Sequence, residues 1–446
     1  MADMSSTDTE ARGATVAEED VVEGVPTDEA RVAIPGMTQE GEVLATEPVV
    51  SEESAMGLSA KTERGNVQVE KIVDSSRAGR MTSYDLADFP ELTGREEDFR
   101  FTPLKRLKGL HTDGLDGAAP TVTVSGSEGV LVETVGRDDA RIGSAGIPED
   151  RLAASAWAHF REATVVTVPQ EVELEETVLI DIEGAGTDPA AMHLVIDAKP
   201  FSRARIVLRH HGVAVLSQNV EFAIADSANI TVVSLQEWSD EGSVHASAQH
   251  VSLGRDSRFK HVVVSLGGQT VRVTPSVRYS APGGEVEMYG LTFVDDGQHL
   301  ESRLFVDHSQ PNCRSRVTYK SALQGGGAHG VWVGDVLIRP EAEGTDTYEL
   351  NRNLILNDGP RMDSIPNLEI ETGVIAGAGH ASTTGQLDDE HLYYLMSRGI
   401  PEREARALVV RGFLFEILQQ IEDEGIEERL REVVEAELAN VEKTTV

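Results

Sequence analysis

From residue 164 to 385 the chain is a succession of short, largely β-branched runs: TVVTV, ETVLIDI, MHLVIDA, ARIVLRHHGVAVL, VEFAIA, NITVVSL, QHVSL, FKHVVVSL, QTVRVTPSVRY, EVEMYGLTFV, SRLFVDH, SRVTYKSAL, GVWVGDVLI and LNRNLIL. Gly, Asp, Asn and Ser separate them, which is how strands joined by tight turns read. No amphipathic helix of ten residues or more interrupts the series. That removes βαβ folds, which need a crossover helix between parallel strands. More than a dozen short strands over about 220 residues leave a sandwich, a propeller or a solenoid. No WD, kelch or hexapeptide repeat is present. Runs such as FKHVVVSL are apolar nearly throughout, as strands covered by coils above and below would be. The pattern predicts a mainly β protein built on a parallel β-helix, with a β-sandwich as second choice.

On either side the period changes. Residues 79–163 mix loop and helix signals. SAWAHFREA (155–163) predicts a short helix, led by Pro148, Glu149 and Asp150. From Leu387 onward apolar residues recur at spacings of three and four. Ala405, Leu408, Val409, Phe415, Leu418 and Ile421 form one stripe, and Ile426, Leu430, Val433, Val434, Leu438 and Val441 a second. Pro401 suits the first turn of the earlier helix and Gly425 its end. These stripes can pack on the β body or accept a partner. Four segments result: an extension over 1–78, a helical and loop region over 79–163, the β core over 164–386 and a helical domain over 387–446.

Charge separates the first segment from the rest. Residues 1–60 hold 14 Asp and Glu against Arg12 and Arg31, with no aromatic and no sustained period. Such a stretch cannot bury enough apolar surface to offset its ordering entropy, so disorder and a solubilising role are expected. The whole chain carries 76 acidic and 39 basic residues, a net charge of −37. That charge is repelled by nucleic acid and by anionic membranes, so neither is an expected partner. A single Cys, Cys313, excludes an internal disulfide and any all-Cys metal site made by this chain alone. With no apolar leader or spanning run, a cytoplasmic protein is expected.

Familiar catalytic patterns are missing. GLSAKT (57–62) lacks the Gly before Lys61 that a phosphate-binding loop needs. GGGAHG (325–330) matches a dinucleotide spacing, but it opens a strand rather than a helix and reads as a glycine turn. His210 and His211 are adjacent in a strand, so they face opposite sides and cannot chelate one metal. Cys313 reads as a small buried thiol. His380 stands apart. It lies in GAGHAS, where strands give way to helices and little side-chain bulk would keep a second chain away. A neutral imidazole there suits iron or zinc. The competing reading is a His satisfied by a backbone carbonyl at a turn.

The C-terminal half carries a longer signature. DHSQPNCRSRVTYKSAL, VWVGDVLIRPEAEGTDTYELNRNLIL and DSIPNLEIETGVIAGAGHASTTGQLDDEHLYYLMSRGIPEREARALVVRGF follow one another, and GREEDFRFTPL lies upstream at 94–104. In these motifs, over about residues 80–425, the chain resembles the SufB/SufD family of iron–sulfur cluster assembly scaffolds, on its SufD side. The resemblance implies a right-handed parallel β-helix flanked by an N-terminal helical region and a C-terminal helical domain. It implies a non-catalytic subunit that pairs with a SufB-like chain and docks a SufC-like ABC-type ATPase through its C-terminal domain; whether a homodimer forms when the SufB-like chain is missing is left open by the sequence. No nucleotide would bind this chain. A transient cluster or iron would be shared with the partner, and His380 would be the ligand or iron-entry residue offered here. Many family members carry a Cys two residues before that His. Ala378 stands there, so the resemblance assigns this chain no thiolate. Glu369, in PNLEI, matches a family position and reads as a cap on its strand.

Two other classes compete. A β-helix carbohydrate-active enzyme would need rows of carboxylates along an open groove and aromatic sugar platforms, and Trp157, Trp238 and Trp332 are the whole Trp supply. A self-assembling structural β-solenoid would need exposed apolar end coils, whereas a helical segment is expected to cap each end.

Overall fold

Each central strand hydrogen-bonds to the strand after next, not to its sequence neighbour. The computed structural model describes residues 77–126, 128–387 and 389–440. One sheet runs in the order Thr121–Ser125, Val178–Glu183, Arg203–Gly212, Asn229–Trp238, Arg258–Ser265, Glu285–Val294, Arg314–Leu323, Asp346–Ile355 and Gly377–Gln386. The second runs Leu131–Gly136, Glu162–Val168, Gly186–Ala198, Ala214–Ile224, Val244–Leu253, Thr270–Tyr279, His299–His308, His329–Ile338 and Arg361–Ile370. From Glu162 on, successive strands alternate between the sheets, which makes a parallel β-solenoid of about eight turns. Among the described strands, only the first of each sheet is antiparallel to its neighbour.

The turns repeat a local device. Two residues before each of six consecutive first-sheet strands stands a corner residue with positive φ: Phe201, Ser227, Asp256, Gly283, Asn312 and Gly344. Gly, Asn, Asp and, more weakly, Ser tolerate that left-handed conformation, which explains the turn residues of the sequence. At Gly283 the corner is also crowded, since a Cβ would stand 2.1 Å from Asp256 Oδ1 of the preceding turn.

Between the sheets every second side chain points inward. Because the strands stack in register, inward residues form columns. One reads Ile206, Val232, His261, Met288, Val317, Glu349 and His380 along the first sheet. Val166, Ile180, Phe222, Phe259 and Val286 belong to the same buried interior. Burying each such side chain contributes about 1.5–3 kcal/mol. Inward glycines make room for the larger rings, and a Cβ on Gly290 would stand 2.0 Å from Tyr319 Cδ1.

Both outer faces are covered. Over the second sheet lie the 77–120 segment and helix α1 (Arg151–His159), through Phe99, Leu107, Leu110, Leu152 and Phe160. Ion pairs fix this strap: Arg272 meets Glu301 at 2.5 Å and Asp150 at 3.1 Å, and Arg303 meets Asp98 at 3.1 Å. Burial alone would raise the Glu301 carboxyl, but Arg272, a His299 hydrogen bond and Arg303 pull it far below the usual carboxylate range. Over the first sheet lie α3 (Glu402–Leu418) and α4 (Glu424–Asn440), following α2 (Asp389–Ser397). Val410, Leu414, Ile417, Ile421, Leu430 and Val434 pack there against Val233, Val264 and Phe293. Among the described residues no helix is long and apolar enough to cross a membrane.

Several local expectations change. The helix expected at 155–163 begins four residues earlier, because Asp150 accepts from the Ala153 N–H at 2.8 Å, and it gives way after His159 to a strand. Gly425 does not end α3. The break comes at Glu422, with φ 56°, and Asp423 caps α4 by accepting from the Ile426 N–H at 3.1 Å. The flanking helices lie on the faces of the solenoid rather than across its ends, because their apolar stripes match the outward apolar rows of the sheets. Disorder expected over 1–78 concerns residues almost wholly outside the described ones.

His210 is buried inside and His211 faces outward against Asp181 at 2.8 Å, so the two do point apart. GGGAHG forms a turn, with the Gly327 N–H donating to Asp296, before the strand that starts at His329. Cys313 is buried.

Candidate site at the open end of the solenoid

The last turn differs from the central ones. Among the described residues, strands Arg361–Ile370 and Gly377–Gln386 each have a neighbour on one side only, and their side chains are half-buried or exposed where the central strands are buried. Gly377 donates its N–H to Thr345 O at 3.2 Å and Leu387 donates to Ile355 O at 3.0 Å. Backbone groups alternate along a strand, so Ala378, His380, Ser382 and Thr384 turn their N–H and C=O toward the open edge. Small side chains keep this edge low, and Gly379 lets the Tyr348 ring approach where a Cβ would be 3.3 Å away.

His380 sits in the middle of that strand and is exposed. It lies in a strand rather than a turn, and no hydrogen bond or ion pair links it to the described residues. Around it the serine and asparagine side chains are paired. Ser382 donates to Asn351 Oδ1 at 3.1 Å, and Asn353 Nδ2 donates to Ser364 Oγ at 2.9 Å and Thr384 Oγ1 at 3.1 Å. Glu369 accepts the Arg77 backbone N–H at 2.9 Å, which is a structural use of that carboxylate.

Directly beneath His380 in the register is Glu349. It is 1% exposed, and neither carboxylate oxygen has a hydrogen-bond partner among the described residues. Burial, reinforced by the charge of Asp335, pushes its pKa up to about 8. A Cβ on Gly334 of the facing strand would stand 2.8 Å from Glu349 Oε1, which places the carboxyl within the solenoid interior. Tyr319 Oη and Trp332 Nε1 in the neighbouring layer are also buried without partners.

Sequence reasoning missed Glu349. In TYELNRN the inward positions are Thr347, Glu349, Asn351 and Asn353, all polar. Alternation alone assigns a polar row to solvent, so the period was visible but its direction was not.

The expected docking stripe is largely used within the chain. Ala405, Leu418, Ile421, Leu430 and Val434 are buried. The exposed apolar groups of the helical segment are instead on α2, where Tyr393 is 75% exposed beside Tyr394 and Met396. Trp238 and Trp332 are buried, so they offer no sugar platform. Among the described residues no three His, Cys, Asp or Glu side chains converge as a metal site. Any ion held at His380 therefore needs ligands from elsewhere.

Comparison with known proteins gives one answer. The family model described as the SufBD core domain of SUF-system FeS cluster assembly matches residues 181–413. An iron–sulfur cluster assembly SufBD family protein of Mycobacterium tuberculosis is 50% identical over 379 residues, covering 82% of this chain and 94% of that one. Its namesake in Mycobacterium leprae is 50% identical over the same length, covering 82% and 95%. The iron–sulfur cluster assembly protein SufD of Escherichia coli is 25% identical over 235 residues, covering 52% and 51%.

Proposed function

The chain belongs to the SufBD family of iron–sulfur cluster assembly proteins, and we propose that it is a SufD-type, non-catalytic scaffold subunit working in the cytoplasm. In this reading the cluster, or the iron for it, is cargo. His380 offers one ligand from the open edge, and a SufB-like partner adds its strands to the Gly377–Gln386 and Arg361–Ile370 edges, bringing thiolates this chain lacks. The 387–446 segment docks a SufC-like ATPase, whose ATP hydrolysis does the mechanical work.

The observation that carries the proposal is the coincidence of three features on one strand: an unpaired parallel edge, small flanking side chains, and an exposed imidazole without a partner. Edge strands attract further strands, and main-chain hydrogen bonds give such pairing its affinity. A solvated imidazole beside a docking edge becomes enclosed when the partner arrives, so a ligand set can be completed at the moment of pairing.

Anaerobic purification from the native host should recover an ABC-type ATPase and a Cys-containing paralogue with this chain. His380→Ala should keep that complex and lower its iron and sulfide content. Recovery of the chain alone would remove the assembly role, and equal iron and sulfide in both proteins would remove the ligand role of His380.

A further inference from the structure

Within that reading, we propose that Glu349 is a second metal-binding residue of this chain, forming with His380 a two-point site for a divalent first-row cation at the end of the solenoid interior. Three independent features lead there. The first is position. Glu349 and His380 are register partners on adjacent parallel strands, and both belong to the inward column. Side chains at such positions start roughly 5 Å apart and leave the sheet on one face. A metal bound at about 2.0–2.2 Å from a carboxylate oxygen and an imidazole nitrogen spans that separation.

The second feature is need. Buried polar atoms almost always find a partner, and an exception calls for an absent water or ion. Both oxygens of Glu349 lack one among the described residues, and in the adjoining layer Tyr319 Oη and Trp332 Nε1 lack partners as well. The neighbouring asparagines bond to each other and to Ser364, Ser382 and Thr384, so they leave the carboxyl to the ligand.

The third is access and charge. Only the terminal half-turn lies over Glu349, and its first-sheet strand offers Ala378, Ser382 and Thr384 beside His380. A carboxyl as the interior donor takes a cation rather than an anion. Carboxylate plus imidazole is a donor set for iron, manganese, cobalt or zinc rather than for a soft monovalent metal. His380 is then the entry ligand, and Glu349 draws the ion one strand deeper, out of bulk water.

Cobalt(II) binding to the full chain without partner tests this, followed by calorimetry and visible absorption. Glu349→Gln keeps the shape and removes the group that can ionise to meet a cation. Glu349→Met, which fills the space with an apolar chain, guards against a folding defect in the first variant. Each should weaken cobalt binding at least tenfold while the circular dichroism is kept, and His380→Ala should weaken it similarly. If the two Glu349 variants bind like wild type and His380→Ala does not, the inference fails and the His380 reading stands. If all three bind like wild type, or wild type takes up no cobalt, the two-point site fails; the assembly role is judged separately by co-purification.

Discussion

The backbone N–H of Arg77 donates to Glu369 Oε2 at 2.9 Å, joining positions 292 residues apart. The Arg77 guanidinium lies 3.5 Å from Asp335 and 2.7 Å from Glu97. The start of the strap is thereby fastened to the last turn of the solenoid. Glu369→Ala should cost about 1 kcal/mol, as for a typical hydrogen bond. Its clearer readout is local: trypsin should cut after Arg77 and Arg80 sooner in the variant. Equal cleavage rates would mean the remaining strap contacts hold this end without Glu369.

The interior histidines make stability depend on pH. His261 has both ring nitrogens buried without partners among the described residues, and burial pushes its pKa down to about 3. His308 is pushed down to about 3 by the same cause. A His whose folded pKa is depressed binds its proton more readily when unfolded. The stability it contributes is full above the unfolded value near 6.5 and is lost as pH falls toward 3. His261→Leu, beside Phe222 and Phe259, removes one such group. Chemical denaturation at pH 7.5 and at 5 should show a smaller acid loss in the variant. An unchanged difference between the two pH values would assign the acid sensitivity elsewhere.

The open edge can be blocked without disturbing the ladder behind it. Ser382 turns its N–H to the unpaired side, so Ser382→Pro removes a donor that no described strand uses. It also loses the 3.1 Å bond to Asn351, which Ser382→Ala loses as well and so controls for. Size-exclusion chromatography with the paralogous partner should show pairing in the Ala variant and at least a tenfold weaker complex in the Pro variant. Full pairing in both would place the interface on another face.

The β core was legible because turn residues recur at fixed places and strands covered on both sides are apolar nearly throughout. FKHVVVSL is a strand whose outward Val262 and Val264 meet the C-terminal helices while Val263 enters the interior. His380 was legible because it stands alone among small residues. What the sequence could not convey was direction and depth. The polar row Thr347, Glu349, Asn351 and Asn353 has the period of a solvent face, yet it lines the interior. Likewise, periodicity shows that α3 and α4 have apolar stripes but not whether those stripes cover a face or close an end.

The two ends of the stack are not alike. One is finished by antiparallel strands of five and six residues, Thr121–Ser125 and Leu131–Gly136, and the other by parallel strands of ten. Copies placed head to tail would set ten-residue edges against strands of five and six residues, leaving about half of each long edge unpaired. Unending growth needs two complementary ends, whereas a two-fold pair uses the same surface on each partner. The short antiparallel strands thus act as a stop codon written in hydrogen bonds: they offer the ten-residue edges of another copy little to pair with, so the described ends favour a single neighbour over a filament.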